Sequence, residues 1–161
     1  QLTVYLRQMA FRFFRGLKMR VSGITKVLGG EKVLRKRIRN RMDMIELSKR
    51  GISKNALAHL ANFLSFTLSQ MADLLPVSER TIQRYSSEDK FNSIVSEQIL
   101  QIAEVAAKGK EVFEDKNKFL SWMNHPSKPL DNRTPASLLS SRFGVEMVLD
   151  ELGRIEHGVF S

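Results

Sequence analysis

The stretch Phe119-Leu120-Ser121-Trp122-Met123-Asn124-His125-Pro126 opens a segment that runs through Leu130-Asp131-Asn132-Arg133-Thr134-Pro135 and Gly144-Val145 to Ile155-Glu156-His157-Gly158-Val159-Phe160-Ser161. Three helix signals lie in it. Asp115 is an N-cap candidate for a helix through Trp122, and Pro126 marks its break. Thr134-Pro135 sets an N-cap before proline at the first helical position, where a missing N–H costs nothing. The last helix carries Val145, Val148, Leu149, Leu152 and Ile155 at the spacing of one helix face, and Gly158 fits its C-terminal stop. The segment therefore reads as a three-helix unit whose final residues leave the helix.

Its ordered residues carry more than helix propensity. Trp122, Asn124, Pro126, Leu130, Pro135, Leu138, Leu139, Gly144, Val148, Leu152, Ile155, Gly158 and Val159 resemble the C-terminal toxin-binding domain of Xre/MbcA/ParS-type antitoxins. That domain has a Trp-Leu pair, an Asn-Pro, a Leu-Gly-Gly followed by Thr/Arg-Pro, a Leu-Leu, a Gly-x-x-x-Val helix and an Ile-x-x-Gly-Val tail. The chain departs from it at Met123, at Asp131-Asn132 in place of Gly-Gly, and at Ser140-Ser141 where Asp-Thr is usual. Asp131-Asn132 keeps the turn chemistry, because both residues tolerate left-handed backbone.

Charge divides the chain. Residues 1–54 hold fifteen Lys/Arg against three Asp/Glu, whereas residues 55–161 hold eleven against fourteen. A basic end of this kind either meets a polyanion or stays soluble as a charged tail. Residues 115–161 hold six basic and six acidic residues, a balance better suited to a protein partner. The chain has no cysteine. Disulfides, thiolate metal sites and thiol nucleophiles are excluded, which fits a reducing cytoplasm. No apolar run approaches the length of a membrane span.

Residues 1–22 form a basic extension in which aromatics and arginines alternate without acids. It reads as a basic amphipathic surface helix, a cleaved signal, or residues ahead of a start at Met19. Arg7, Arg12 and Arg15 interrupt the apolar core that a signal needs. Farther on, Leu34 and Ile38 lie four apart amid Lys32, Arg35, Lys36, Arg37, Arg39 and Arg41, the pattern of a short helix with a basic outer face. A helix over 43–50 is predicted to stop at Gly51. Ser53 then caps another, with Ala56, Leu57, Leu60, Ala61 and Leu64 as its buried stripe.

Residues 68–85, Leu-Ser-Gln-Met-Ala-Asp-Leu-Leu-Pro-Val-Ser-Glu-Arg-Thr-Ile-Gln-Arg-Tyr, read as helix, tight turn, helix. Ala72 is small where two helices would cross, and Ser78 caps the second helix. Arg80, Thr81, Gln83 and Arg84 are side-chain types that reach phosphates and base edges in a major groove. The Ser-x-x-Thr-Ile-x-Arg run resembles the recognition helix of Xre/Cro-type regulators. Pro76 stands where those regulators carry glycine, which predicts an opened turn or a changed crossing. Glu79 places a negative charge beside phosphates, although it also suits a helix N-terminus. From Ser93 a long helix is expected to about Lys108, with Ile94, Ile99, Ile102, Ala103, Val105 and Ala106 apolar and Gly109 weakening its end.

No catalytic constellation is visible. His59, His125 and His157 form no metal pair, and neither a nucleophile elbow nor a phosphate loop is present. No enzyme activity, cofactor or metal is expected. Trp122, the one tryptophan, reads as a core anchor rather than a partner contact. Phe160, beyond the glycine stop, reads as an apolar group offered to a partner.

The two resemblances imply an all-α fold: an N-terminal Xre/Cro-like helix-turn-helix domain packed on a small C-terminal helical toxin-binding domain. The expected division is 1–22, extension; 23–109, helical domain with the helix-turn-helix; and 110–161, toxin-binding domain. They imply a cytoplasmic antitoxin that neutralises a RES-domain, NAD+-consuming toxin by covering its active site and represses its own operon. Arg133, Arg142, Arg154, His157, Gly158, Val159, Phe160 and Ser161 would touch the toxin. Ser78, Arg80, Thr81, Gln83 and Arg84 would touch operator DNA. A homodimer on paired half-sites and a higher toxin–antitoxin complex are the implied assemblies, with no membrane partner. Two other readings remain open at this point: a stand-alone DNA-binding regulator whose C-terminal domain dimerises or senses a ligand, and an antitoxin that has lost DNA contact, with Pro76 and Glu79 as the traces.

Overall fold

The computed structural model describes residues 1–158, and the side chains of all of these but residues 12–20. The described chain is helical, with no strand beyond isolated bridges at Ser53–Lys90 and Ser127–Arg133. The helices are α1 (Leu2–Val27), α2 (Glu31–Leu34), α3 (Arg41–Arg50), α4 (Lys54–Leu64), α5 (Leu68–Leu74), α6 (Glu79–Arg84), α7 (Ser93–Phe113), α8 (Lys116–Met123) and α9 (Arg142–Glu156). Short 3-10 turns at Lys128–Leu130 and Pro135–Leu138 join α8 to α9.

Everything is arranged around α7. A helix that is apolar on most of its surface must be covered on most sides. Here Val95, Ile99, Leu100, Ile102, Ala103, Val105, Ala106 and Ala107 are all buried, and α1, α3, α4, α8 and α9 pack against them. Small residues let neighbours approach. At Gly23 of α1, an added Cβ would stand 3.0 Å from the Cβ of Ala107. At Gly109 it would stand 2.0 Å from the ring of Phe119, so this glycine makes room for an aromatic side chain. The helix runs on through Gly109 to Phe113. Phe63 of α4, Phe113, Phe119 and Trp122 form an aromatic cluster with ring centroids 5.6–6.5 Å apart, which ties the N-terminal helices to the C-terminal ones.

Caps set the helix ends as their residue types require. Ser53, Ser78, Asp115 and Ser141 accept N–H bonds at 3.2, 3.1, 3.0 and 3.1 Å from Ala56, Thr81, Lys118 and Gly144. Gly51 ends α3 at φ +94°, and Gly158 follows α9 at φ +69°, both left-handed positions that glycine adopts without strain. Thr134 also caps, but the segment after it is a 3-10 turn rather than an α-helix.

Other expectations are corrected. The basic stretch from Lys32 to Arg41 is not one short helix. The helix stops at Leu34, Arg35 turns left-handed at φ 50°, and the chain runs irregularly to Asn40, which caps α3. Leu34 and Ile38 are both buried, but a bend rather than a helix face brings them inward. Residues 2–11 belong to α1 and are exposed, and Val21, Ile24 and Val27 near the end of that helix are buried in the core. Ile94 is exposed rather than buried.

Candidate functional site

The segment α5–turn–α6 folds for local reasons. Thr67 and Gln70 form a reciprocal capping box at the start of α5. Pro76 sits at the centre of a turn closed by the Val77 N–H donating to the Leu75 carbonyl at 2.8 Å. That three-residue turn needs a negative φ at its centre, which proline supplies. No residue between α5 and α6 has positive φ, so the turn is closed without the glycine. Ile82 is fully buried, Tyr85 stacks on Phe91 at 5.1 Å, and Lys54 Nζ donates to the Tyr85 carbonyl at 2.7 Å at the C-terminal end of α6. These contacts fix the face that α6 shows to solvent.

On that face Arg80, Gln83 and Arg84 are exposed and Thr81 is half-buried. Ser78 is also exposed, but its Oγ is engaged by the Thr81 N–H and lies 2.9 Å from the Thr81 hydroxyl. Gln83 donates to Glu79 Oε1 at 3.1 Å, which holds the carboxylate against its own helix. Among the described residues neither Arg80 nor Arg84 forms an ion pair. Much of the basic segment is already partnered. Arg35 pairs with Glu88 at 2.9 Å, Arg37 with Glu31 at 3.4 Å, and Arg41 with Glu104 at 3.0 Å. Lys36 binds Glu46 and lies 3.6 Å from Asp43. The hydrogen bond to Glu46 is the main cause holding the Lys36 ammonium above its ordinary pKa. The Arg39 N–H, donating at 2.9 Å, is the main cause holding the Asp43 carboxyl below its ordinary value.

The second surface is α9. Val145, Val148 and Leu152 are buried against the rest of the domain, and Gly144 lets the helix approach the Leu138 carbonyl. The opposite stripe, 143-147-150-154, is exposed and carries Phe143, Met147, Asp150 and Arg154, with His157 next beyond. Phe143 and Met147 were not among the expected partner residues. Their signal was present in the sequence: two large apolar residues four apart, off the core-facing stripe. Arg154 donates to buried Glu151 at 2.7 Å, and Arg142 donates to Glu146 at 3.1 Å. Glu156 binds Lys108, a buried lysine of α7, so Glu151 and Glu156 each take a cation. Arg133 is exposed on the loop before α9, apart from the α9 stripe in sequence. Trp122 is half-buried within the aromatic cluster. Val159, Phe160 and Ser161 lie outside the described residues. No group of three or more candidate metal ligands comes together among the described residues, and no described helix is long and apolar enough to cross a membrane.

Comparison with known proteins fits both surfaces. A family model for the antitoxin Xre-like helix-turn-helix domain matches residues 43–104, and one for the antitoxin Xre/MbcA/ParS C-terminal toxin-binding domain matches 108–158. Antitoxin Xre of Yersinia enterocolitica is 31% identical over 120 residues, which span 73% of this chain and 81% of the relative. The chain belongs to the Xre/MbcA/ParS antitoxin family. Antitoxin Xre of Photorhabdus laumondii is 28% identical over 113 residues, 69% of this chain and 76% of that one. A chain of the M. tuberculosis MbcT–MbcA toxin–antitoxin complex shares the fold, with a TM-score of 0.55 at 22% identity, over 67% of this antitoxin and 96% of that chain. The family is one of antitoxins rather than enzymes. Residues 1–42 of the antitoxin lie outside both family matches.

Proposed function

We propose that this antitoxin neutralises a RES-domain, NAD+-consuming toxin by covering its active site, and that α6 binds the promoter of its own operon to repress it. The exposed stripe of α9 carries the reading. Two large apolar side chains, Phe143 and Met147, share a helix face with Arg154 and lead to His157 and Gly158, where the chain leaves the helix. That combination of apolar anchor and arginine is the kind that dominates binding energy at protein interfaces. The tail Val159-Phe160-Ser161 follows it into the toxin's active-site mouth, with Arg133 and Arg142 as flanking contacts. Deleting Val159–Ser161 is expected to abolish protection of cells expressing the toxin while leaving thermal unfolding unchanged. Full protection by the truncated chain would refute the steric mechanism.

DNA binding is supported by the closed turn at Pro76, by a Glu79 carboxylate held by Gln83, and by the unpaired Arg80 and Arg84. One six-residue helix makes few contacts, so a homodimer on two half-sites is the assembly proposed. Much of the basic segment is internally paired, so the salt dependence of binding will reflect fewer phosphates than its charge suggests. A promoter gel shift on wild type and on the Arg80→Ala/Arg84→Ala double variant tests the reading. Equal shifts would refute it. The proposed division between residues 109 and 110 falls within α7, so both functions rest on one helix.

A further inference from the structure

Lys108 of α7 is buried, with 7% of its side chain exposed, and its ammonium binds the carboxylate of Glu156, the last residue of α9. Stability alone does not account for either group. Taking a lysine out of water costs free energy that its partner repays only in part, and apolar residues of similar size often serve a fold as well. A carboxylate in the last turn of a helix meets the negative end of the helix dipole. Helical spacing also continues the line of Val148 and Leu152, both fully buried, to position 156. A carboxylate at that position makes a directed contact where an apolar residue would only have packed.

This pair differs from the others of α9. Arg142–Glu146 and Arg154–Glu151 lie within the helix and leave its placement untouched. Among the described residues, Lys108–Glu156 is the ion pair that joins α9 to another element. Glu104 stands one turn earlier on α7, within reach of a lysine four residues on, but it is paired with Arg41 of α3. The tie also lies next to the point where the helix ends. His157 donates its N–H to the Gly153 carbonyl and Gly158 donates to the Ile155 carbonyl, each at 3.1 Å, and Gly158 then turns left-handed at φ +69°.

We infer that Lys108 is a positioning residue for toxin binding: by holding Glu156 it fixes where α9 ends and from where the tail leaves. The inference rests on the proposed role of that tail. Being buried, Lys108 offers a partner protein no surface of its own, so it acts through Glu156. The apolar contacts of Val148 and Leu152 hold α9 on the core but are non-directional. A charge-assisted hydrogen bond has a direction, and it adds the fixed point that they lack. An exit fixed before the toxin arrives spares the cost of ordering it on binding.

The test uses the full antitoxin and, as probe, a RES-domain toxin from the same operon. Lys108→Met keeps much of the side-chain volume, whereas Lys108→Ala does not, and both leave Glu156, 34% exposed, with water as its partner. The urea midpoint is expected to stay closer to wild type for Lys108→Met than for Lys108→Ala. Toxin affinity is expected to fall about tenfold in both, because the tie is lost in both. Lys108→Arg keeps the charge and is expected to recover affinity. In free Lys108→Met the amides of His157 and Gly158 should exchange faster, while those of residues 145–152 keep their rates. If that variant does not fold, Glu156→Gln carries the exchange measurement, which a direct contact of residue 156 with the toxin would not move. Unchanged exchange at His157 and Gly158 would overturn the inference. Affinity losses that follow the midpoints of the two variants would make Lys108 a stability residue only, and overturn it too. Full affinity in Lys108→Met, with binding still lost on deletion of Val159–Ser161, would overturn the inference and leave the proposed function standing. A wild-type chain that does not bind the toxin would refute the proposed function and the inference with it.

Discussion

Two glycines of α9 make opposite predictions for the same substitution. A Cβ at Gly144 would lie 1.8 Å from the Leu138 carbonyl oxygen and 2.7 Å from its carbon, both backbone atoms. A Cβ at Gly153 would meet nothing within 4 Å. Alanine gains about 1 kcal/mol over glycine in a helix interior. At Gly153 that gain stands alone, so Gly153→Ala is expected to stabilise by about 0.5–1 kcal/mol, allowing for its place near the helix end. At Gly144 the helix must move by more than 1 Å to restore a normal contact, because a backbone carbonyl cannot swing aside as a flexible side chain can. Overpacking of this kind costs about 3 kcal/mol, the upper part of the usual range, which leaves Gly144→Ala about 2 kcal/mol less stable after the propensity gain. With a urea m-value of about 2 kcal/mol/M, the midpoints should shift by roughly −1 M and +0.4 M. Gly144→Ala should also weaken toxin binding, since lifting the start of α9 displaces Phe143. Equal midpoints for the two variants would refute the close approach of α9 to the 135–138 turn.

Three further outcomes are expected. Ser78→Ala removes the cap of α6 and should cost about 1 kcal/mol by urea titration, with weaker promoter binding and unchanged toxin binding. Lys108→Ala should cost about 3 kcal/mol, the low end for breaking a buried pair, because Glu156 keeps contact with water while Lys108 does not; a loss under 1 kcal/mol would show that the pair contributes little. Asp43, held below its ordinary value, contributes stability that is present above the usual carboxylate pKa and is lost as pH falls through the lowered one. Asp43→Asn should therefore flatten the urea-midpoint profile on the acid side, from the usual carboxylate pKa downward, and an unchanged profile would refute that role.

Local features were legible in the sequence because they are set by residues a few positions apart. The caps at Ser53, Ser78, Asp115 and Thr134 need only a short polar side chain ahead of a helix, and Gly51 needs only its left-handed backbone. The core stripes of α4 and α9 follow from helical periodicity. Features set by distant residues were not legible. Nothing local says that Gly109 faces Phe119, that Gly144 faces Leu138, or that Lys108 finds Glu156. The basic run misled because its apolar pair, Leu34 and Ile38, is buried by a bend at Arg35, and composition does not distinguish a bend from a helix. Pro76 suggested an open turn because the comparison was with a glycine turn; a turn closed at the proline itself meets the same geometric need. At the proposed toxin-facing surface the arginines drew notice for their charge. Phe143 and Met147, four apart and off the core stripe, were legible there too, but charge was the louder signal.

The placement of α7 also bears on how long this antitoxin lasts. Its buried residues pack against α1, α3 and α4 as well as against α8 and α9. Local opening that frees one end of α7 exposes the core of both halves, so neither half survives as a folded remnant of the other. A protease that engages the chain anywhere along this core removes the whole molecule. Clearance is then expected to be all-or-none: no long-lived fragment would retain the proposed toxin-facing surface without the proposed DNA-facing one, or the reverse, and one turnover rate would govern both.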